Sequence, residues 1–240
     1  MNANDNIKDK PFGTGHILPA AEVIERALLD LLQTTLDKKC VDALLVPMQA
    51  PGTNAFAWIL MKNPSLLADA RPIPPVMTVQ GGHVLSDIAR HGKADHTIAA
   101  FLRPCELRAA VELSKLKQID LEHIVLISVD CPGAYQLTDY MTAPQEYEDS
   151  FRHILSTWED SEILRPVCRV CRHFSLDMEM KEDSESSTGE YPITTDVHIG
   201  LIGNDDTKIT LIPATEKGLT FLEQLGYPPQ DSLEEWKSSV

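Results

Sequence analysis

Four cysteines carry most of the chemistry this sequence can offer. Cys105 stands in Phe101-Leu102-Arg103-Pro104-Cys105-Glu106, Cys131 in Val129-Asp130-Cys131-Pro132-Gly133, and the last two form the pair Cys168-Arg169-Val170-Cys171. Two cysteines with two residues between them can grip one metal centre in a turn. Four thiolates drawn from three segments suit a four-ligand site for zinc or for an iron–sulfur cluster. Structural zinc is usually held by two close pairs, and only one is present here, so the spacing favours iron–sulfur while leaving zinc open. The plainer alternative is that Cys105 and Cys131 are buried apolar residues and only the close pair is a ligand. Cys40, the fifth cysteine, lies apart at a helix-to-strand joint and reads as a small buried side chain.

The elements that must position these thiols alternate between strand and helix patterns. HTIAAFL (96–102) and HIVLISVD (123–130) read as buried strands, each running straight into a cysteine motif. Ligands collect at the C-terminal ends of strands in open α/β sheets, so Cys105 and Cys131 are expected at one sheet edge. Pro19 opens an amphipathic helix that ends near Lys38–Lys39, and VDALLVPM (41–48) and FAWILM (56–61) read as strands. Residues 70–78 carry three prolines and read as irregular. A short helix is expected over His83–His91 after Gly81-Gly82, a longer one over 103–118, and another over 143–159. VHIGLIG (197–203) and KITLIPA (208–214) are predicted to form a hairpin, followed by a last helix stopped by Gly226. The expected class is α/β (or α+β), a mixed sheet with helices. Residues 1–18 read as a tail or lead-in strand. Residues 19–240 read as one domain with an acidic insert at 177–190.

The 240 residues suffice for a substantial core. Acidic residues outnumber basic ones by 36 to 21, a net charge of −15 that argues against nucleic acid or anionic membrane as partners. No apolar run is long enough to span a membrane, and the polar start MNANDNIKDK is no secretory signal. An odd cysteine count without an export signal argues against a disulfide framework, so a cytoplasmic protein is expected.

Taken together, FLRPCELRAAVELSKLKQ, VLISVDCPGAY and the C-x-x-C loop resemble the coenzyme F-420 hydrogenase/dehydrogenase beta-subunit family. TTDVHIGLIG and IPATEKGLTFLEQ resemble its aspartate-containing strand and its threonine-glutamate-lysine-glycine turn into a helix. The resemblance covers about residues 20–226. It implies one 4Fe-4S cluster on Cys105, Cys131, Cys168 and Cys171, a flavin (FAD) beside it, and a redox subunit passing electrons between a soluble two-electron carrier and a partner subunit of an anaerobic oxidoreductase complex. Longer relatives carry further cluster motifs that this chain lacks, so at most one cluster is expected. A structural zinc scaffold and a flavin-free one-electron wire are the alternatives.

Candidate flavin ligands follow from position. Thr53 and Asn54 lie in the turn after a strand, Gly81 and Gly82 precede a helix whose N–H groups could meet a phosphate, and Tyr135 could stack on a ring. Arg103 could hold a phosphate, and with Arg108, Arg165, Arg169 and Arg172 it gathers positive charge around the cysteines. No GxGxxG, GxxxxGK[ST], GxSxG or HExxH pattern occurs, which removes support for Rossmann-type, triphosphate, α/β-hydrolase and zincin sites. His173 is a weak substitute ligand, and the acidic insert a weak docking candidate.

Overall fold

The structure is a computed structural model that describes residues 15–20, 24–90, 96–159, 161–176, 195–203, 208–227 and 229–230. The acidic insert at 177–190 and the expected turn at 204–206 lie outside the described residues. The first elements are β1 (Gly15–Pro19), α1 (Ile24–Asp37), β2 (Ala43–Gln49), β3 (Phe56–Met61), a 3-10 helix (Pro64–Asp69) and α2 (Gly81–Ala89). The cysteine-bearing middle follows: β4 (Ile98–Leu102), α3 (Pro104–Lys115), β5 (Ile124–Val129), α4 (Leu137–Tyr140), α5 (Pro144–Thr157) and α6 (Pro166–Arg169). The chain continues through β6 (Val197–Gly200), β7 (Lys208–Pro213), α7 (Glu216–Leu225) and β8 (Pro229–Gln230).

Among the described residues the eight strands form one sheet in the order β3-β2-β4-β5-β6-β7-β1-β8. The expected mixed α/β sheet is what the structure holds. Strands β2, β4, β5 and β6 are parallel, whereas β3, β7, β1 and β8 join antiparallel. Residues 15–19, left open as tail or lead-in strand, are strand; β1 pairs with β7 and so crosses the 18/19 boundary.

The period of two along each strand divides the interior into two layers. Leu44, Val46, Ala99, Phe101, Val125 and Ile127 face one side, packed with Leu28, Leu31 and Leu32 of α1, Phe151 and Ile154 of α5 and Phe221 and Leu222 of α7. Leu45, Ile98, Ala100, Leu102, Ile124 and Leu126 face the other, against Leu85 of α2 and Leu107 and Ala110 of α3. Covering both faces makes β4 and β5 wholly buried, which is why they read as unbroken apolar runs rather than alternating ones. Each leucine so buried contributes roughly 1.5–3 kcal/mol.

The hairpin of β6 and β7 runs into α7 through a tight joint. Thr215 caps α7 by accepting from the Gly218 N–H (3.0 Å) and donates to Asp196 (2.6 Å). Asp196 also accepts from the Leu126 N–H (2.8 Å) and pairs with Lys217 (2.9 Å), which reaches the Ile124 carbonyl (2.7 Å). A Cβ on Gly218 would stand 1.8 Å from the Asp196 carbonyl oxygen. The aspartate strand and the threonine-glutamate-lysine-glycine turn are thus a structural lock between α7 and the middle of the sheet.

Candidate functional site

Pro104 and Glu106 set the first cysteine. Pro104 occupies the first turn of α3, where a missing N–H costs nothing. Glu106 reaches back to accept from the Arg103 N–H (2.8 Å) and from the Gly81 N–H (3.1 Å). Cys105 is thereby fixed at the mouth of α3, just past the end of β4. Its neighbour across the sheet is Cys131, two residues past β5. Because β4 and β5 are parallel and in register, both thiols lie at one edge, as the strand reading expects.

The loop after β5 is pinned from three sides. The Cys131 N–H donates to the Phe174 carbonyl (2.8 Å), the Arg165 N–H donates to the Ala134 carbonyl (2.9 Å), and the Tyr135 N–H donates to the Pro75 carbonyl (2.8 Å). The first two bonds tie the Cys131 loop to the C-x-x-C segment. Gly133 makes their approach possible: its φ is +106°, and a Cβ there would lie 2.9 Å from Leu164 and 3.4 Å from the Cys168 Cβ. The C-x-x-C segment, expected as loop, contains one helical turn, α6, with the Cys171 N–H donating to the Cys168 carbonyl (3.2 Å).

These contacts bring Cys105, Cys131, Cys168 and Cys171 to the wall of a single open pocket of about 960 Å³. Cys40 does not line it; it packs beside the α1 side of the core. Burial pushes the Cys131 thiol up to about 11, against the opposing pull of Arg103. The Cys105 thiol is also raised, first by loss of solvent and then by Glu106, with Arg103 opposing. Neighbouring cysteines add to both shifts, so the thiols sense one another. Such thiols stay protonated in neutral water and would release the proton to solvent when a metal centre takes the sulfur, which makes loading pH-dependent.

Among the described residues, no three histidine, cysteine, aspartate or glutamate side chains are grouped so as to hold a single metal ion. The four thiols share one pocket. Two guanidiniums stand by to offset thiolate charge: Arg103 acts on Cys105 and Cys131, and Arg165 Nη2 lies 3.7 Å from Cys168 Sγ. Arg165 Nε is buried and has no partner among the described residues. The residues present therefore fit an iron–sulfur cluster.

The residues expected to hold a flavin are placed differently. Thr53 and Asn54 lie in the exposed β2–β3 turn, where the Thr53 hydroxyl donates to the Ala50 carbonyl (3.0 Å) and accepts from the Ala55 N–H (3.1 Å). Gly81 and Gly82 form the first turn of α2 instead of preceding it. A Cβ on Gly81 would meet Trp58 at 2.6 Å and one on Gly82 would meet Ala109 at 2.9 Å, so both serve close packing. The Gly81 N–H is moreover taken by Glu106. Tyr135 is buried, edge-on to Tyr147 and Phe151, with its hydroxyl donating to Ser150 (3.2 Å). Arg103 is buried, donating to the Pro74 carbonyl. None of these six residues lines the cysteine pocket. Its wall includes Met77, Thr78, Gln80 and Trp158, which sequence reasoning did not single out, together with the carboxylates Glu159 and Glu162. Trp158 is held at φ +56° at the end of α5, where bulky residues rarely sit, and nothing in the sequence marked it. His173 and Arg169 also line the pocket; Arg108 and Arg172 do not.

The second buried cluster beside the site is polar. The Asp130 carboxylate accepts from the Leu201 N–H (2.8 Å), the Ile202 N–H (3.1 Å), the Ser175 hydroxyl and His198 Nε2 (2.9 Å). His198 Nδ1 in turn meets the Ser128 hydroxyl at 2.7 Å. Burial alone would raise the Asp130 carboxyl, but His198, Ser175 and the Ile202 amide together hold it below the usual carboxylate range. Asp130 thus joins the ends of β5 and β6 to the segment that follows Cys171.

No family model matches the chain. It is 26% identical over 211 residues to the beta subunit of F420-dependent formate dehydrogenase 1 of Methanococcus maripaludis, covering 82% of this chain and 53% of that one. The chain thus spans about half the length of the curated relative it matches. In fold it is similar to a chain of the F420-reducing NiFe hydrogenase complex of Methanosarcina barkeri, with a TM-score of 0.57 and 14% identity over 96% of this chain and 91% of that one. Among the described residues no helix is long and apolar enough to cross a membrane. The resemblance carried by the cysteine motifs is borne out: the chain is similar in sequence to a beta subunit of the F-420 hydrogenase/dehydrogenase family and in fold to an F420-reducing hydrogenase chain.

Proposed function

We propose that this chain is an electron-transfer subunit of an oxidoreductase complex, holding one 4Fe-4S cluster on Cys105, Cys131, Cys168 and Cys171 with FAD beside it. It would exchange electrons with a soluble two-electron carrier on one side and a partner subunit on the other. The observation that carries this reading is the convergence of four thiols from three segments on one pocket. The similarity to a formate dehydrogenase beta subunit supports it.

A flavin accepts electrons singly or in pairs, whereas a cluster handles one at a time. The residues of this chain supply the rest. Arg103 and Arg165 offset thiolate charge, and the backbone bonds at Cys131 and Arg165 hold the thiol-bearing loops together. At about 960 Å³ the pocket lies at the upper end of the range of roughly 300–1,000 Å³ for small-molecule sites. Met77, Thr78, Gln80 and Trp158 would form the flavin-facing wall. A flavin-free one-electron wire is the second reading, favoured by one observation: none of Thr53, Asn54, Gly81, Gly82, Arg103 and Tyr135 lines this pocket.

Anaerobic purification tests these readings. Iron and acid-labile sulfide in equal amounts, with flavin fluorescence after acid extraction, are expected. Iron and sulfide without flavin would select the second reading. Colourless protein carrying one equivalent of zinc would overturn both.

A further inference from the structure

Arg165 stands in the cysteine pocket with its hydrogen bonding incomplete. Its backbone N–H is anchored on the Ala134 carbonyl, so its position is set by the same bond that joins the C-x-x-C segment to the Cys131 loop. Its Nη2 donates towards Cys168 Sγ at 3.7 Å, and its Nε is buried without a partner among the described residues. Nε and Nη2 share one edge of the guanidinium, and their two N–H bonds run side by side as a fork for two adjacent acceptors. Half of that fork is filled by a thiol sulfur. A buried donor left without an acceptor is costly, so the edge calls for a second acceptor beside Cys168 Sγ. The Glu106 carboxylate feels the Arg165 charge but is already taken up by the Gly81 and Arg103 amides, and Glu159 and Glu162, on the same pocket wall, make no hydrogen bond to Arg165.

We infer that Arg165 is a positioning and potential-tuning residue whose Nε–Nη2 edge faces the sulfur shell of the cluster proposed above, on which this inference rests. Inorganic sulfur lies next to any cysteine that ligates such a cluster, and it is the acceptor the empty donor lacks. One-electron reduction adds one negative charge to the cluster. A cation with two N–H donors stabilises the reduced form more than the oxidised form and so raises the reduction potential.

The test uses the full chain, reconstituted anaerobically, as wild type, Arg165→Gln and Arg165→Lys. Iron and sulfide content are read alongside the midpoint potential from an EPR-monitored redox titration. Arg165→Gln is expected to retain iron and to shift the one-electron equilibrium at least tenfold towards the oxidised form, about 59 mV. Arg165→Lys keeps the charge but loses the planar edge, and its potential is expected to fall by a smaller amount. An unchanged potential in iron-loaded Arg165→Gln overturns the inference. So does a wild-type potential in Arg165→Lys, which serves as the reading if the Gln variant fails to hold iron. Iron-free wild-type protein would sink the cluster reading itself, whereas iron-loaded wild type with unshifted variants would sink this inference alone.

Discussion

Asp130→Ala should destabilise the protein more than any other single change in the polar cluster beside the thiols. The carboxylate it removes serves four donors: the Leu201 and Ile202 amides, the Ser175 hydroxyl and His198 Nε2. The hydroxyl can rotate, but the amides are fixed in backbone and stay buried. Each orphaned buried donor costs about 1–3 kcal/mol, and breaking a buried hydrogen-bonded charge costs about 3–5 kcal/mol. At about 2–4 °C per kcal/mol for a chain of this size, the loss becomes a fall in melting temperature of about 6–20 °C. Thermal unfolding followed by circular dichroism on iron-free protein measures it without interference from any cofactor. Acidification supplies a signed check. The carboxyl is held below its usual range, so its stabilisation is full above the unfolded value of about 3.9 and is lost as pH falls through the folded one. Wild type and variant should therefore differ most near neutral pH and converge below about pH 4. A melting temperature lowered by under about 2 °C, less than 1 kcal/mol, would refute the assignment of Asp130 as the clamp between β5, β6 and the C-x-x-C segment.

Further outcomes follow from the same geometry. Serine at Cys105, Cys131, Cys168 or Cys171 should each lower bound iron, whereas Cys40→Ser should leave it unchanged; iron analysis reads both, and iron loss in the Cys40 variant would break the ligand assignment. Tyr135→Ala should cost about 3–5 kcal/mol through the cavity it opens beside Tyr147 and Phe151, visible as a lowered urea midpoint. Asn54→Ala, in an exposed turn, should leave both stability and extractable flavin at wild-type levels; a loss of flavin there would place the pocket at the β2–β3 turn after all. Gly218→Ala must displace the Asp196 carbonyl from 1.8 Å and should yield protein that unfolds at markedly lower temperature or accumulates insoluble.

Sequence alone was enough for the features that depend on neighbours along the chain. The apolar runs at 98–102 and 124–129 are buried strands because both their faces are covered, and each hands the chain directly to a cysteine, so the placement of Cys105 and Cys131 at one edge could be read without coordinates. Pro104 at the start of α3 and Gly226 in the left-handed conformation at the end of α7 are local signals of the same kind. Tertiary structure alone decided what those edge residues face. Tyr135 and the Gly81-Gly82 pair looked like ligand contacts because an aromatic ring or a glycine pair at a strand or helix end is chemically ambiguous. Their packing is set by Tyr147, Phe151, Trp58, Ala109 and Glu106, none of them adjacent in sequence. The same holds for Trp158 and Gln80 on the pocket wall and for the half-filled fork of Arg165. A side chain's surroundings are set by the crossing of distant segments, and a single sequence records the segments but not where they cross.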